Sequence, residues 1–223
     1  MNIEDAIRSR SSVRAFTDRP VSRETVTRIL DMAQRAPSGT NTQPWHVHVA
    51  TGPVRDAITA EAYAMFQRGE TDSYAEYDYY PDIWTETHRN RRRAVGWGLY
   101  GLLGIEKGDR DASMQQAARN YLLFNAPVGI FVTIERYLAK GSWFDVGLYA
   151  QTLMLAARAE GLHTCPQASW IVTPRPVRRH LDIPDDQILV VGIALGHADK
   201  TAIENTLVSA REPVEAIARF HGF

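Results

Sequence analysis

The chain has 223 residues, room for one substantial domain that buries roughly 70% of its unfolded surface without covalent staples. With 44% hydrophobic and 23% charged residues, its balance excludes a disordered or fibrous protein. Lys+Arg 25 against Asp+Glu 26 gives a net charge of −1, so no strong field draws nucleic acid or anionic lipid, and the single cysteine, Cys165, excludes an intrachain disulfide and a cysteine-cage metal site.

Asn2 caps a short predicted helix with Ile3, Ala6 and Ile7 on one face, ending near Arg10. Ser22 opens a clearer helix, with Val26, Ile29, Leu30 and Ala33 at helical spacing and Pro37 beyond its end. Trp45-His46-Val47-His48-Val49 alternates as a strand does, and residues 55–67 form a helix with Ala57, Ile58, Ala62 and Met65 inward. Residues 73–84 hold Tyr74, Tyr77, Tyr79, Tyr80 and Trp84 among acids and Pro81. This stretch is too aromatic for a linker and has no period, which points to a lid or binding loop.

Helical patterns return over 88–104 and 112–124, and residues 127–134 make an apolar, β-branched, buried strand. Residues 144–160 carry the stripe Val146, Ala150, Leu153 and Ala157, with Gly161 just past the helix end. A short strand follows over 163–166, and residues 187–195 form the strongest strand in the chain. Helices and strands are interspersed without a regular βαβ series. Residues 197–223 have little periodicity yet end in Phe220 and Phe223; such an apolar tail needs a surface to cover, a second subunit for example. No apolar run approaches the ~20 residues of a membrane span. The acidic, polar start Met1-Asn2-Ile3-Glu4-Asp5 is unlike a secretory signal, so a soluble cytoplasmic protein is expected, with no membrane and no nucleic-acid partner.

Several motifs invite a chemistry and give way to a plainer reading. Gly96-Trp97-Gly98-Leu99-Tyr100-Gly101 satisfies G-x-G-x-x-G, but His88-Arg89-Asn90-Arg91-Arg92-Arg93 stands where a dinucleotide fold requires an apolar strand. Helix packing accounts for those glycines, and a solvated face for the arginines. His46 and His48 share a strand face, but no third ligand has suitable spacing, so no metal is expected. His163-Thr164-Cys165 has a thiol in a position more typical of a lone buried cysteine. No G-x-S-x-G elbow occurs.

Two stretches resist such readings. Arg8-Ser9-Arg10-Ser11-Ser12-Val13-Arg14-Ala15-Phe16 packs guanidinium forks and hydroxyls at a helix end, a donor set suited to phosphate. Ala36-Pro37-Ser38-Gly39-Thr40-Asn41-Thr42-Gln43-Pro44-Trp45 is a rigid loop displaying hydroxyls and amides, suited to the polar edge of a planar heterocycle.

Together these segments resemble the flavin-dependent nitroreductase family over nearly the whole chain. Pro166-Gln167-Ala168-Ser169-Trp170, the strand end Gly192-Ile193-Ala194-Leu195-Gly196, and Asn205 with Arg211-Glu212-Pro213 extend the match. Arg91-Arg92-Arg93, Gly96-Trp97, Leu99-Tyr100, Leu103-Gly104-Ile105, Gly108-Asp109-Arg110, Gly141-Ser142-Trp143 and Thr164-Cys165-Pro166-Gln167 resemble its 4-nitrobenzoate reductase-like branch. The resemblance implies an α+β fold, a central mixed β-sheet flanked by helices, in an intertwined homodimer. It implies one domain over 1–223, a lid or helical insertion near 68–120, and a C-terminal extension over 197–223 packed on the partner.

It further implies bound FMN, with Arg10, Ser12 and Arg211 on the phosphate and Ser11 beside them. Arg14 would face the pyrimidine end of the ring. Pro37, Ser38 and Asn41, with Gln43, would reach the cofactor from the other subunit. Pro166, Gln167, Ala168 and Ser169 would lie along the ring, a backbone N–H near Ala168 or Ser169 facing N5. Family members often carry lysine where Arg14 and Ser209 stand here, and the asparagine that some use at the flavin edge has no assigned counterpart. Tyr79, Tyr80 and Trp84 would stack on substrate.

The implied activity is ping-pong reduction of nitroaromatic or quinone-like compounds with NADPH or NADH, with no side chain acting as catalyst because the flavin carries the chemistry. Reductive dehalogenation, flavin breakdown, and storage or sensing of flavin are the alternatives. Arg211 could instead pair with Glu212 or Glu215 at the surface, and residues 91–93 could meet a 2′-phosphate of NADPH.

Overall fold

Apolar side chains on both faces of one sheet set the architecture. The computed structural model describes residues 1–70 and 76–223; the Tyr74 expected at the start of the aromatic stretch lies outside them. Four strands, β1 (His46–Thr51), β2 (Val128–Glu135), β3 (His163–Gln167) and β4 (Gln187–Gly196), pair in the order β1-β2-β4-β3. Every pair is antiparallel. The mixed character expected of the sheet reduces, among the described residues, to one isolated parallel bridge between Ser12 and Thr164.

Alternation along β2 explains why it reads as an unbroken apolar run. Val128, Ile130, Val132 and Ile134 join Ile193 and Leu195 in a core with α2 (Arg23–Ala33) and α6 (Lys140–Ala159), through Val26, Ile29, Ala33, Val146, Tyr149 and Leu153. Phe131 belongs to the second core, with Leu189, Ala194 and Cys165. That core is closed by α3 (Gly52–Gln67) through Ile58 and Ala62, and by Tyr121, Leu123, Phe124 and Trp170.

The caps are those that the sequence predicts. Asn2 Oδ1 accepts from the Asp5 N–H at 2.8 Å to open α1 (Ile3–Ser9), and Ser22 Oγ accepts from Thr25 at 3.2 Å. At the end of α6, Gly161 takes φ 74°. Its N–H donates to Arg158 O and that of Leu162 to Ala157 O, a Schellman closure that aims the chain into β3.

The helix expected over 112–124 is a correction. α5 (Arg110–Ala118) stops early, and Arg119–Asn125 is a 3-10 segment with Leu123, Phe124 and Asn125 at φ 51°, 52° and 68°. Tyr121, Leu123 and Phe124 all bury in the same core, which consecutive α-helical turns cannot direct to one side. The short helices α7 (Ser169–Val172), α8 (Arg175–His180) and α9 (Val214–Ile217) show no period to detect.

Helix α4 (Glu86–Leu102) has no buried residue in 17. Gly98 faces Leu207, and Arg91 pairs with Glu212 at 3.0 Å, so the C-terminal segment runs beside it. Beyond Leu207 the chain is exposed nearly throughout, Val208 at 91% and Ile217 at 72%. Among the described residues no helix is long and apolar enough to cross a membrane.

His163, at the start of β3, has a buried Nδ1 with no hydrogen-bond partner. Burial, helped by the charges of Arg158, His197 and Lys200, pushes its pKa down to about 4 from an ordinary 6.5. The unfolded chain therefore protonates first as pH falls, so the stability associated with neutral His163 is complete above about 6.5 and is lost by about 4. Urea unfolding across that window should show a shallower acid loss in His163→Gln than in the unsubstituted protein; parallel profiles would mean that His163 is not depressed.

Candidate functional site

The phosphate-suited segment is held against β3 as if it were part of a strand. Besides the Ser12–Thr164 bridge, the Val13 N–H donates to Thr164 O at 3.1 Å and the Phe16 N–H to Phe124 O at 3.1 Å. The second bond uses a carbonyl that the left-handed turn at Phe124 brings into place. Asn205 completes the hold. Its Oδ1 accepts from the Arg14 N–H, and its Nδ2 donates to Ala15 O and Asp199 O, all at 2.8 Å.

Arg10, Ser11, Ser12 and Arg14 are consequently half-buried at one sheet edge. Arg14 Nη1 donates to Ser12 O at 3.1 Å. Burial pushes the Cys165 thiol up to about 11, while Arg14 and Arg10 lie near enough to pull it down. A thiol so protonated is no nucleophile at neutral pH, in keeping with the plain reading of Cys165. Arg158, donating to Leu162 O at 2.8 Å and to Ser9 Oγ at 3.2 Å, ties the end of α1 to the start of β3.

The turn from β3 into α7 is locked from below. Trp170 packs so closely on Gly192 that a Cβ there would lie 2.3 Å from the indole. The indole Nε1 donates to Gln167 Oε1 at 3.3 Å, and Gln167 Nε2 to Asn120 O at 2.7 Å. The Gln167 side chain is thus spent on the fold, leaving only its backbone for a ligand. Pro166 is exposed and Ala168 half-buried. Thr164 Oγ1 and Ser169 Oγ are buried without hydrogen-bond partners, orphans of the kind a bound polar group satisfies.

The second predicted stretch lies at the opposite edge, leading into β1. Three non-glycine residues, Thr40, Asn41 and Gln43, hold φ of 48°, 59° and 47°, a strain that the surroundings must over-determine. The Gly39 N–H donates to the buried Asp145 at 3.2 Å, and the Gln43 N–H to Ser38 Oγ at 2.9 Å. Pro37, Asn41 and Gln43 remain exposed. Trp45 beneath them stacks on Tyr149 at 4.6 Å and donates to Gln34 Oε1 at 2.9 Å.

The aromatic stretch is anchored at its described start and exposed further on. The Glu76 carboxylate takes Arg136 and Arg178, both at 2.9 Å, and Tyr77 OH donates to Val190 O at 2.7 Å. Tyr79 and Tyr80 are exposed and meet edge to face at 4.8 Å; Tyr80 lies 5.6 Å from Trp84. Arg211 is exposed, its Nη1 donating to Ser209 Oγ at 2.8 Å and to Ser209 O and Ala210 O. It pairs with neither Glu212, which Arg91 takes, nor Glu215. His46 pairs with Glu135 at 2.7 Å, and no group of three or more His, Cys, Asp or Glu among the described residues is placed to hold a metal.

The resemblance put Arg10, Ser11, Ser12, Arg14 and residues 166–169 on one cofactor; the structure joins Ser12 and Val13 to Thr164, two residues before that turn. The clamp role of Asn205 and the anchor role of Asp145 were not foreseen. Neither carries a local signal: their partners lie 191 and 106 residues away.

The nitroreductase family model matches residues 7–197. A 4-nitrobenzoate reductase of Pseudomonas putida is 38% identical over 222 residues, 100% of this chain and 96% of the relative. A second 4-nitrobenzoate reductase, from Nocardioides sp. (strain LMS-CY), is 40% identical over 96% of this chain and 87% of its own length. Among solved structures, the FMN and NADPH-dependent nitroreductase NfnB from sphigopyxis sp. strain HMH superposes with a TM-score of 0.95 at 39% identity, covering 100% of both chains.

Asn205→Ala removes three hydrogen bonds and leaves the Arg14 N–H and two carbonyls without that partner, at about 1–3 kcal/mol for each group left unsatisfied. Chemical denaturation should show a loss of several kcal/mol, with Asn205→Asp no better because a carboxylate then faces two carbonyls. A loss within about 0.5 kcal/mol, as at an ordinary surface site, would show that the segment is held without it.

Proposed function

The chain belongs to the nitroreductase family, and on that footing we propose that it is an FMN-dependent NAD(P)H reductase of nitroaromatic compounds, nitrobenzoates among them, working by a ping-pong mechanism. The observation that carries this reading is the cationic, hydroxyl-bearing segment at residues 10–14, stitched to β3 beside the locked turn at 166–169. Arg10 and Ser12, with Ser11 beside them, offer a phosphate donor set. The buried, unpartnered Ser169 and Thr164 hydroxyls fit a polar group lying along that turn.

When bound, FMN supplies the two-electron chemistry, accepting from NAD(P)H and giving to the nitro group in turn. The protein's part is placement and field. Arg14 lies near Cys165, and its fixed positive charge would favour negative charge developing on a bound ring. The Ala168 and Ser169 N–H groups sit on a turn that Trp170 and Gln167 prevent from relaxing, which favours a fixed donor direction. No His–Asp pair is needed, since water can deliver the protons.

The second half of the site comes from another copy of the chain. β1 and β3 are the two edges of a four-stranded sheet, so three inter-strand spacings, ~14 Å, separate the strands that carry the 37–43 loop and the 166–169 turn in one subunit. The helix α4 without a buried residue and the exposed Val208, Ile217, Phe220 and Phe223 supply apolar surface for a homodimer, with the tail as the extension packed on the partner.

FMN and riboflavin differ by the phosphate and so separate the assignments. In titrations of apoprotein, Arg10→Ala should lower FMN affinity roughly 10- to 150-fold, as for a lost bond to a charged group, and leave riboflavin unchanged. Arg211→Ala should do the same if the tail brings that side chain to the phosphate once assembled. Equal losses for both ligands would assign either arginine to the fold or the dimer.

A further inference from the structure

Helix α4 has two faces. Arg91 and Gly98 lie toward the C-terminal segment, through Glu212 and Leu207. Arg89, Arg92, Arg93, Gly96, Trp97 and Tyr100 recur at i, i+3, i+4, i+7, i+8 and i+11, one stripe on the other side. With Trp84 they line an open pocket of about 390 Å³, within the size range of small-molecule sites.

Its chemistry is one-sided, for none of the lining residues is acidic. Arg89 is used structurally, donating to Trp84 O at 3.1 Å. The Arg92 guanidinium lies 4.7 Å from the Tyr80 ring centroid and 5.2 Å from that of Trp84. Stacking occupies the flat face of the fork and leaves its N–H edge available. Arg91 has a carboxylate partner, whereas among the described residues neither Arg92 nor Arg93 has one. Two uncompensated forks beside indole and phenol walls suit a planar ring that carries an oxyanion.

We propose that this cavity is the subsite that recognises the acid group of an aromatic acceptor, Arg92 and Arg93 taking the carboxylate while Trp84, Trp97 and Tyr100 wall the ring. The proposal rests on the nitroaromatic reductase reading and adds the residues that select an acidic substrate. A nucleotide phosphate offers the same oxyanion chemistry, and the test separates the two sources.

Benzoate has no nitro group to reduce, so its binding to the FMN-loaded protein reads the subsite without turnover. Calorimetry should show benzoate binding and benzyl alcohol binding far more weakly. Arg93→Gln and Arg92→Ala should each weaken benzoate roughly tenfold or more, and Arg93→Lys should recover part. Arg92 also supports Tyr80 and Trp84, so Arg93 is the decisive position. In steady state, Arg93→Gln should raise KM for 4-nitrobenzoate and leave KM for nitrobenzene and NADPH unchanged.

The proposal is overturned if the unsubstituted protein does not distinguish benzoate from benzyl alcohol, or if both acceptors lose equally. It is also overturned if KM rises for NADPH and not for NADH, which would give the cavity to the nucleotide phosphate. Benzoate binding that depends on Arg93 in a protein that reduces no nitroaromatic would uphold the subsite and remove the activity.

Discussion

Everything proposed for the site depends on holding a polar, arginine-rich segment against the edge of an apolar sheet. Of residues 10–14 only Val13 enters the core, so backbone hydrogen bonds must fix the rest. The Thr164 carbonyl accepts from Val13 and the Phe124 carbonyl from Phe16 just beyond, and the amide of Asn205 clamps Arg14 and Ala15. With donors and acceptors satisfied internally, the guanidinium and hydroxyl groups are free to face a ligand. The strained turn at 123–125 follows from the same demand, because it buries Leu123 and Phe124 and turns the Phe124 carbonyl toward Phe16.

The core elements were legible because their periods are clean. β2 and β4 are apolar on both faces, and α2 and α6 carry stripes closed by Ser22 and Gly161. The donor set at residues 10–14 stood out by residue type, and the turn at 166–169 came only with the family resemblance. What stayed hidden was long-range or short-period. Asn205 and Asp145 act on loops more than a hundred residues away, and α7 has only 4 residues. The end of α5 was misjudged because helical propensity continues through residues 119–124, while burial of three side chains in one core decides the conformation. Gln167 looked like a cofactor contact, yet its amide spans Trp170 and Asn120.

The same sheet order that buries β2 and β4 places the two polar stretches on opposite edges. Stretches on opposite edges suit a site shared between two chains related by a two-fold, which would form it twice. The central claim is therefore a composite site, and mixed dimers test it most directly. One chain would carry Arg10→Ala with Ser12→Ala, the other Pro37→Ala with Asn41→Ala, with different tags so that the mixed species can be isolated. Each homodimer should bind FMN weakly. The mixed dimer confines all four defects to one site and leaves the other intact, so it should bind one FMN per dimer with the affinity of the unsubstituted protein. A mixed dimer that binds no better than its parents would place both stretches on the same flavin within one chain and contradict the account.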